Sequence, residues 1–555
     1  MADIEQVELN VQGMTCSNCA VHVEKALEGV PGVRNAQVPG WESGKAIVTV
    51  ENNVSNDDLA AAVYNAGYRM RVERRQPLPQ PAHESGDNSA SGYDLMVIGG
   101  GSAGFAAAIK GAELGKRVVM VEAGTIGGTC VNIGCVPSKT LIRGMEQYHQ
   151  AGVHRFHGVH TTAGHLRWAE VIAQKDELVA EMRQAKYVDV LDAYPEITYI
   201  EGRARLTGGN GVEVDGQAYR PDKIVIATGA HPWAPSIPGL EEAGYLTSTT
   251  AMELRALPES MIVMGANAVG LELAQTFARA GVAVTLLELL PRIAPFEDEA
   301  ISEALTGYLE AEGLRILTGF ETEHVQKREG RVYLSGVQDG KEVTLDADRL
   351  LVATGRRSNT ANMGLTEANV RLGRRGEVLV DDRLQTENPD IYAAGDVLGE
   401  DMFVYVAAYG GKLTAENALA DAGRVYDTTT IPRVTFTDPQ IASAGLTEEQ
   451  AQAQGIDVQV STLPMNQVPR ALAAHDTRGL IKLVVDGSSG RLLGTHILAP
   501  DAGEIIQTAV LAMQFRITAE QLRQTMFPYL TNVEGLKLAA LGLEKDIALL
   551  SCCAG

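Results

Sequence analysis

At 555 residues the chain exceeds what one hydrophobic core can organise, and roughly three to five domain-sized units are expected. Hydrophobic residues at 45% and charged residues at 21% exclude a disordered or fibrous class. A net charge of −23, from 47 basic and 70 acidic residues, excludes nucleic acid and anionic membrane surfaces as partners, because both would repel the protein. No run approaches the ~20 apolar residues of a membrane span. The start, Met1-Ala2-Asp3-Ile4-Glu5, has neither a basic nor an apolar signal region, so a cytoplasmic location with reduced thiols is expected.

Residues 1–73 read as a small module. Alternation through Val7–Val11, a helical stretch Ala20–Leu27, strand-like runs at Val33–Val38 and Lys45–Val50, a helix opening at the Ser55-Asn56-Asp57-Asp58 cap, and a strand Arg69–Glu73 give βαββαβ, a ferredoxin-like order. Within it, Gly13-Met14-Thr15-Cys16-Ser17-Asn18-Cys19 sets two thiols across a loop and a helix start, where thiol pKa falls. Two thiolates suit a linear two-coordinate ion such as Hg(II) or Cu(I) and are too few for a structural zinc. A redox C-x-x-C of thioredoxin type competes, and the βαββαβ order and the Met-Thr before Cys16 count against it. Residues 74–92, rich in Pro, Ser and Gly, read as a linker.

From Tyr93 strands alternate with helices. Residues 93–245 open with the strand Leu95–Ile98 and the turn Gly99-Gly100-Gly101-Ser102-Ala103-Gly104, whose glycines let backbone approach a pyrophosphate at a helix N-terminus. Glu122, ending the next strand, is placed to accept from a ribose 2′-OH. Next comes Gly127-Gly128-Thr129-Cys130-Val131-Asn132-Ile133-Gly134-Cys135, reaching Lys139; this C-x4-C spacing on helical turns brings two sulfurs within bonding range. Residues 246–362 repeat the plan with Gly265-Ala266-Asn267-Ala268-Val269-Gly270 after Met261–Met264, and Glu288 follows Gly265 by 23 residues as Glu122 follows Gly99. An acid there favours NADH, whereas an arginine such as Arg292 could offset it, so NADH and NADPH both stay open. The turns Ala227-Thr228-Gly229 and Ala353-Thr354-Gly355 end strands in the two halves. Residues 363–430 carry the strand Ile391–Ala394 closing on Gly395-Asp396, and 431–555 mix longer strands and helices.

These segments resemble the two-dinucleotide-binding flavoprotein disulfide reductases, the class I pyridine nucleotide-disulfide oxidoreductases, over nearly all of residues 93–555. The resemblance implies an α/β protein with two Rossmann-like dinucleotide-binding domains and an α+β dimerisation domain, here preceded by the ferredoxin-like metal-binding module. It implies FAD at the first glycine turn (Gly99, Gly101, Ser102, Ala103, Gly104, Glu122), with Gly128, Thr129, Thr228 and Gly229 beside it and Asp396 on the ribityl chain. NADPH or NADH would take the second site (Gly265, Gly270, Glu288, Gly355). Cys135 would lie against the flavin, Cys130 would meet substrate, and Lys139 would stand by the flavin N5, paired with Glu272.

The C-terminal stretch narrows the substrate. Relatives acting on organic disulfides carry a His followed by a carboxylate there, because a leaving thiolate must be protonated. Here the stretch is Met526-Phe527-Pro528-Tyr529-Leu530-Thr531-Asn532-Val533-Glu534, with Phe527 where that His would be. The chain ends Ser551-Cys552-Cys553-Ala554-Gly555, and adjacent cysteines make a poor disulfide but a good soft-metal ligand. This tail, the Tyr529 segment and the C-x4-C resemble the mercury(II)-reducing members of the family, and the N-terminal module resembles the heavy-metal-associated domain. By that resemblance Hg(II), arriving as a thiol complex, passes from Cys16/Cys19 to Cys552/Cys553 and then to Cys130/Cys135. There it is reduced to Hg(0) with NAD(P)H electrons through FAD, in a homodimer whose tail reaches the other subunit's site, with Tyr187 and Tyr529 beside the metal. The rivals are a dihydrolipoamide dehydrogenase or glutathione-type reductase, and a thiol-based metal-sequestering protein.

Overall fold

A computed structural model describes residues 4–14, 17–38, 44–51, 54–77 and 92–549. Cys16, Cys552, Cys553 and the side chain of Cys19 lie outside the described residues. The chain divides into two compact units, residues 1–88 and 89–555.

In the first unit, strands Val33–Gln37, Lys45–Glu51, Ile4–Gln12 and Arg69–Pro77 form, in that order, an antiparallel sheet. Alternation drives one face inward: Val7, Leu9 and Val11 are buried with Val23 and Leu27 of helix Ser17–Glu28 and Leu59 and Val63 of helix Asn56–Asn65. The second helix starts on a capping box, in which Ser55 Oγ accepts from Asp58 N at 3.1 Å and Asp58 Oδ2 accepts from Ser55 N at 3.0 Å. The closing strand reaches Pro77, pairing with Glu5, and so runs past residue 73 into the stretch read as linker. The reason is visible in its position: Arg69–Pro77 is an edge strand whose apolar alternation ends with Met70 and Val72, and from Arg74 to Pro77 the backbone pairing continues without it.

The second unit holds two parallel sheets built alike. The first has the order Ile391–Ala393, Lys223–Ile226, Leu95–Ile98, Val118–Glu122, Ile197–Glu201. The second has the order Arg315–Leu317, Ala283–Leu287, Ser260–Met264, Arg349–Val352. Their central strands are apolar and buried, Leu95–Ile98 along its whole length and Ser260–Met264 from Met261 onward, as strands covered on both faces must be. Residues 363–420 return to the first sheet: Ile391–Ala393 joins its edge, and helix Val404–Ala420 crosses helix Ser102–Glu113 so closely that a Cβ on Gly411 would fall 2.0 Å from the Ala103 carbonyl oxygen. A five-stranded antiparallel sheet, ordered Arg433–Thr435, Gln440–Gly445, Leu492–Ala499, Leu480–Asp486, Val458–Pro464, carries helices Ala502–Gln514 and Glu534–Leu541 over a core including Ile481, Ile497, Ile505 and Leu536. The expected α/β architecture with an appended α+β domain is therefore the one observed. Among the described residues no helix is long and apolar enough to cross a membrane.

An ion network ties the second nucleotide-binding region to this last domain. Arg279, at the end of helix Ala268–Arg279, donates to both oxygens of Glu312 (2.8 and 2.6 Å) and to Asp438 Oδ2 (2.8 Å), and Arg478 donates to Asp438 Oδ1 at 2.7 Å. Its side chain is 5% exposed, so replacing it leaves two carboxylates short of a partner in low dielectric. Arg279→Met is expected to cost about 3 kcal/mol or more. Arg167→Met, which removes a pair 2.9 Å apart whose arginine is 72% exposed, is expected to cost less than about 1 kcal/mol. Thermal unfolding of the two variants beside the parent checks this: equal melting temperatures for both would remove the network from the account.

Candidate active site

Cys130 lies in the short helix Gly128–Ile133, and Cys135 is the first residue of helix Cys135–Gln150, with Gly134 turning the chain between them. Both are free thiols and half-buried. Cys130 donates its S–H to Cys135, and that bond, followed by burial, pushes the Cys130 thiol far above its ordinary range. The same bond, helped by the Lys139 charge and opposed by burial and Glu272, brings Cys135 down to about 7. The reduced pair thus shares one proton, held on Cys130, with a thiolate on Cys135 at a helix N-terminus where negative charge is favoured.

One turn further, Lys139 Nζ lies 2.8 Å from Glu272 Oε2, on the helix of the second glycine turn. Glu272 Oε1 accepts from Phe436 N at 2.9 Å, and Lys139 Nζ stands 4.7 Å from the Phe436 ring centroid. Three regions of the chain therefore meet directly behind Cys135.

The cysteines open into a cleft lined by Gly101, Ser102, Thr129, Gly229, Asp396 and Met402, among others. Its floor is the first glycine turn. A Cβ on Gly99 would meet the Ala227 carbonyl oxygen at 2.2 Å, one on Gly104 would meet the Gly99 oxygen at 1.8 Å, and one on Gly128 would meet the Gly101 Cα at 2.6 Å. These contacts keep strand, turn and helix flush, and helix Ser102–Glu113 has a glycine N-cap with no side chain closing its end. The open first-turn N–H groups are what a pyrophosphate requires. Glu122 accepts from Gly100 N (2.5 Å) and Gly124 N (2.6 Å), leaving lone pairs for a ribose hydroxyl. Asp396 is pushed up by burial, countered by Arg356, whose Nε lies 3.9 Å away. The residues present fit FAD.

The second turn reproduces this frame. Gly265 and Gly270 make the same close approaches, to the Ala353 and Gly265 carbonyl oxygens at 2.6 and 1.8 Å. Asn267 takes the place of Gly101 in extended conformation (φ −102°), which any residue adopts. The two Ala-Thr-Gly turns lead into a ribbon, Ala230–Pro232 paired with Arg356–Ser358; Thr228 Oγ1 donates to Asn359 O at 2.7 Å and Trp233 N to the Gly355 carbonyl oxygen at 3.0 Å.

Tyr187 sits in a π-helical turn, Gln184–Val188, that widens the end of helix Trp168–Arg183. Its ring packs edge-on against Phe105 (centroids 4.9 Å apart), its hydroxyl bonds Ser102, and burial followed by the charges of Cys130 and Cys135 holds its pKa up. The structure thus brings Tyr187 to the cysteine pair. Tyr529, 49% exposed on the C-terminal domain, is not among the residues lining the cleft, and Phe527 packs against that domain's core. Two features had no motif to reveal them. Arg356 spans Asp396, the Ala230 carbonyl and Thr129 Oγ1 (3.5 Å), and the only hint was its place after Ala-Thr-Gly. Glu534 accepts from the backbone N–H of Leu530, which holds φ +61° directly after Tyr529.

Residues 93–411 match the family described as pyridine nucleotide-disulphide oxidoreductase, 431–540 its dimerisation domain, and 8–69 the heavy-metal-associated domain. Similar over the full length are mercuric reductases of Lysinibacillus sphaericus (42% identical, 100% of both chains) and Staphylococcus aureus (44%, 99% of both). Among solved structures, the HOCl-induced flavoprotein disulfide reductase RclA of Escherichia coli superposes with a TM-score of 0.73 at 31% identity, covering 81% of this chain and 99% of its own. The chain belongs to the pyridine nucleotide-disulphide oxidoreductases, in the mercuric reductase branch.

Pyridine nucleotide-disulphide oxidoreductases of this branch use FAD and NAD(P)H, and the two glycine frames stand on either side of the junction at Lys139. The cysteine chemistry has a direct signature. In the reduced protein, alkylation of the peptide carrying Cys130 and Cys135 is expected to rise with pH through a midpoint of about 7. Lys139→Met should move that midpoint upward, because the ammonium favours the thiolate. A parent midpoint in the ordinary thiol range, about 8.5, would contradict the shared-proton arrangement.

Proposed function

We propose that the chain reduces Hg(II) to Hg(0) with electrons from a nicotinamide nucleotide, as a mercury-detoxifying enzyme of the cytoplasm. The balance is Hg(II) plus NAD(P)H giving Hg(0), NAD(P)+ and a proton. The observation that carries this reading is a thiol–thiolate pair at the mouth of a dinucleotide cleft, in a chain whose C-terminal segment offers Phe527 and Tyr529 and no histidine. Reducing a disulfide requires a group that protonates a departing thiolate, whereas reducing a metal ion does not.

Bound FAD supplies the electron relay between nicotinamide and thiol pair. The protein's own side chains do the rest. Cys130 and Cys135 take Hg(II) as two soft ligands, the metal displacing the proton that Cys130 holds. Lys139, anchored by Glu272, keeps a positive charge beside Cys135 and steadies its thiolate. Tyr187, locked by Ser102 and Phe105, gives the metal site an aromatic wall with a hydroxyl. Cys16 and Cys19 collect Hg(II) from small thiols, and Cys552 and Cys553 hand it on, so the ion stays on sulfur throughout. In a homodimer formed through the C-terminal domain, the partner's tail and its Tyr529 segment would complete each site. That domain presents Leu511, Phe515, Met526 and Leu530 to solvent in the single chain, the apolar surface an obligate interface needs.

Cys130→Ala keeps the metal-collecting cysteines yet removes the substrate-side thiol. It is expected to retain Hg(II) in equilibrium dialysis and to lose Hg(II)-dependent nucleotide oxidation at 340 nm by at least about a hundredfold. Turnover surviving in that variant would refute the assignment of the pair.

A further inference from the structure

We infer that the second nucleotide site selects NADH over NADPH, and that Glu288 is the selecting residue. The inference rests on the reading that a nicotinamide nucleotide occupies this site, and it deepens that reading by naming which one.

The chain contains its own standard of comparison. In the first frame Gly99 N donates to Val121 O at 2.8 Å and Ala227 N to Ile98 O at 2.8 Å; in the second Gly265 N donates to Leu287 O at 2.8 Å and Ala353 N to Met264 O at 2.8 Å. Glu122 holds Gly100 N and Gly124 N at 2.5 and 2.6 Å, and Glu288 holds Ala266 N and Leu290 N at 2.8 and 2.9 Å. The carboxylates thus hold equivalent backbone donors in two turns with the same hydrogen-bond pattern. The adenosine of FAD has a free 2′-hydroxyl, so the Glu122 arrangement is one that serves an unphosphorylated ribose. Glu288 repeats it.

Three further observations act against a 2′-phosphate. Glu288 is 8% exposed, so its charge meets a phosphate with little screening. Its two backbone donors are committed to it and cannot turn toward a phosphate; what it has left are acceptor lone pairs, which match hydroxyl hydrogens. The segment around Glu288 is poor in compensating cations as well. From residue 281 to 314 the sequence contains one basic residue, Arg292, and its guanidinium is directed into its own loop, at the Pro295 and Glu297 carbonyl oxygens (3.3 Å each). The two positions after Glu288, where a phosphate pocket would present basic side chains, are Leu289 and Leu290, 65% and 40% exposed. A hydroxyl-bearing ribose is accepted here, and a doubly charged phosphate is repelled.

The test uses the FAD-loaded protein in two ways. Anaerobic rapid mixing reads flavin bleaching near 450 nm with each reduced nucleotide, and calorimetric titration reads binding of NAD+ and NADP+. Bleaching is expected to be on the order of tenfold to a hundredfold more efficient with NADH, with NAD+ binding tighter by a similar factor. Leu289→Arg, which alters an exposed side chain and none of the backbone bonds, should raise NADPH efficiency by about tenfold; Glu288→Gln should narrow the ratio by removing the charge. Equal or better use of NADPH by the parent, or an unchanged ratio in Leu289→Arg, would overturn the inference while leaving the mercury reading intact. Bleaching by neither nucleotide would overturn both.

Discussion

The contact on which the rest depends is the junction of Lys139, Glu272 and Phe436. A salt bridge of 2.8 Å, a backbone hydrogen bond of 2.9 Å and a cation over an aromatic ring join the first nucleotide-binding region, the second, and the C-terminal domain at one point. Glu272 is nearly fully buried and both of its oxygens are taken, one by Lys139 and one by the Phe436 N–H. The junction lies one helical turn from Cys135. Geometry that holds three domains together also sets the charge beside the thiolate, and assembly and chemistry are therefore the same constraint.

Around that point the chain uses one device twice. Each glycine frame presses a helix against its strand until no Cβ fits, opens the helix N-terminus, and ends the next strand on a glutamate. The cleft that follows from the first frame receives the cysteine pair from two successive helices of the same region. The second frame faces the junction from the other side. This arrangement, two glycine frames on either side of a charged junction with the cysteine pair close by, suits the relay of electrons from a nicotinamide to a thiol pair.

Much of this was legible in the residues, because the glycine turns, the 23-residue spacing to each glutamate and the C-x4-C are local patterns with local causes. The capping box at Ser55 is another, and it stands where the sequence places it. Features made by distant residues were not legible. Phe436 reaches Glu272 across 164 positions, and Arg356 reaches Thr129 across 227. The widened turn that delivers Tyr187 has no composition signal, and the edge strand to Pro77 hides behind charged side chains. The pinned backbone at Leu530 follows from a carboxylate four residues on, a relation that a motif scan for catalytic histidine and acid passes over.

The most direct measurement is the release of mercury vapour from the purified, FAD-loaded enzyme under anaerobic conditions, with reduced nucleotide, excess small thiol and Hg(II), run beside lipoamide and glutathione disulfide as competing substrates. One Hg(0) is expected for each nucleotide oxidised, with no appreciable oxidation by either disulfide. Oxidation driven by a disulfide while Hg(II) yields no vapour would contradict the mercury reading, and would make the cysteine pair that of an organic disulfide reductase.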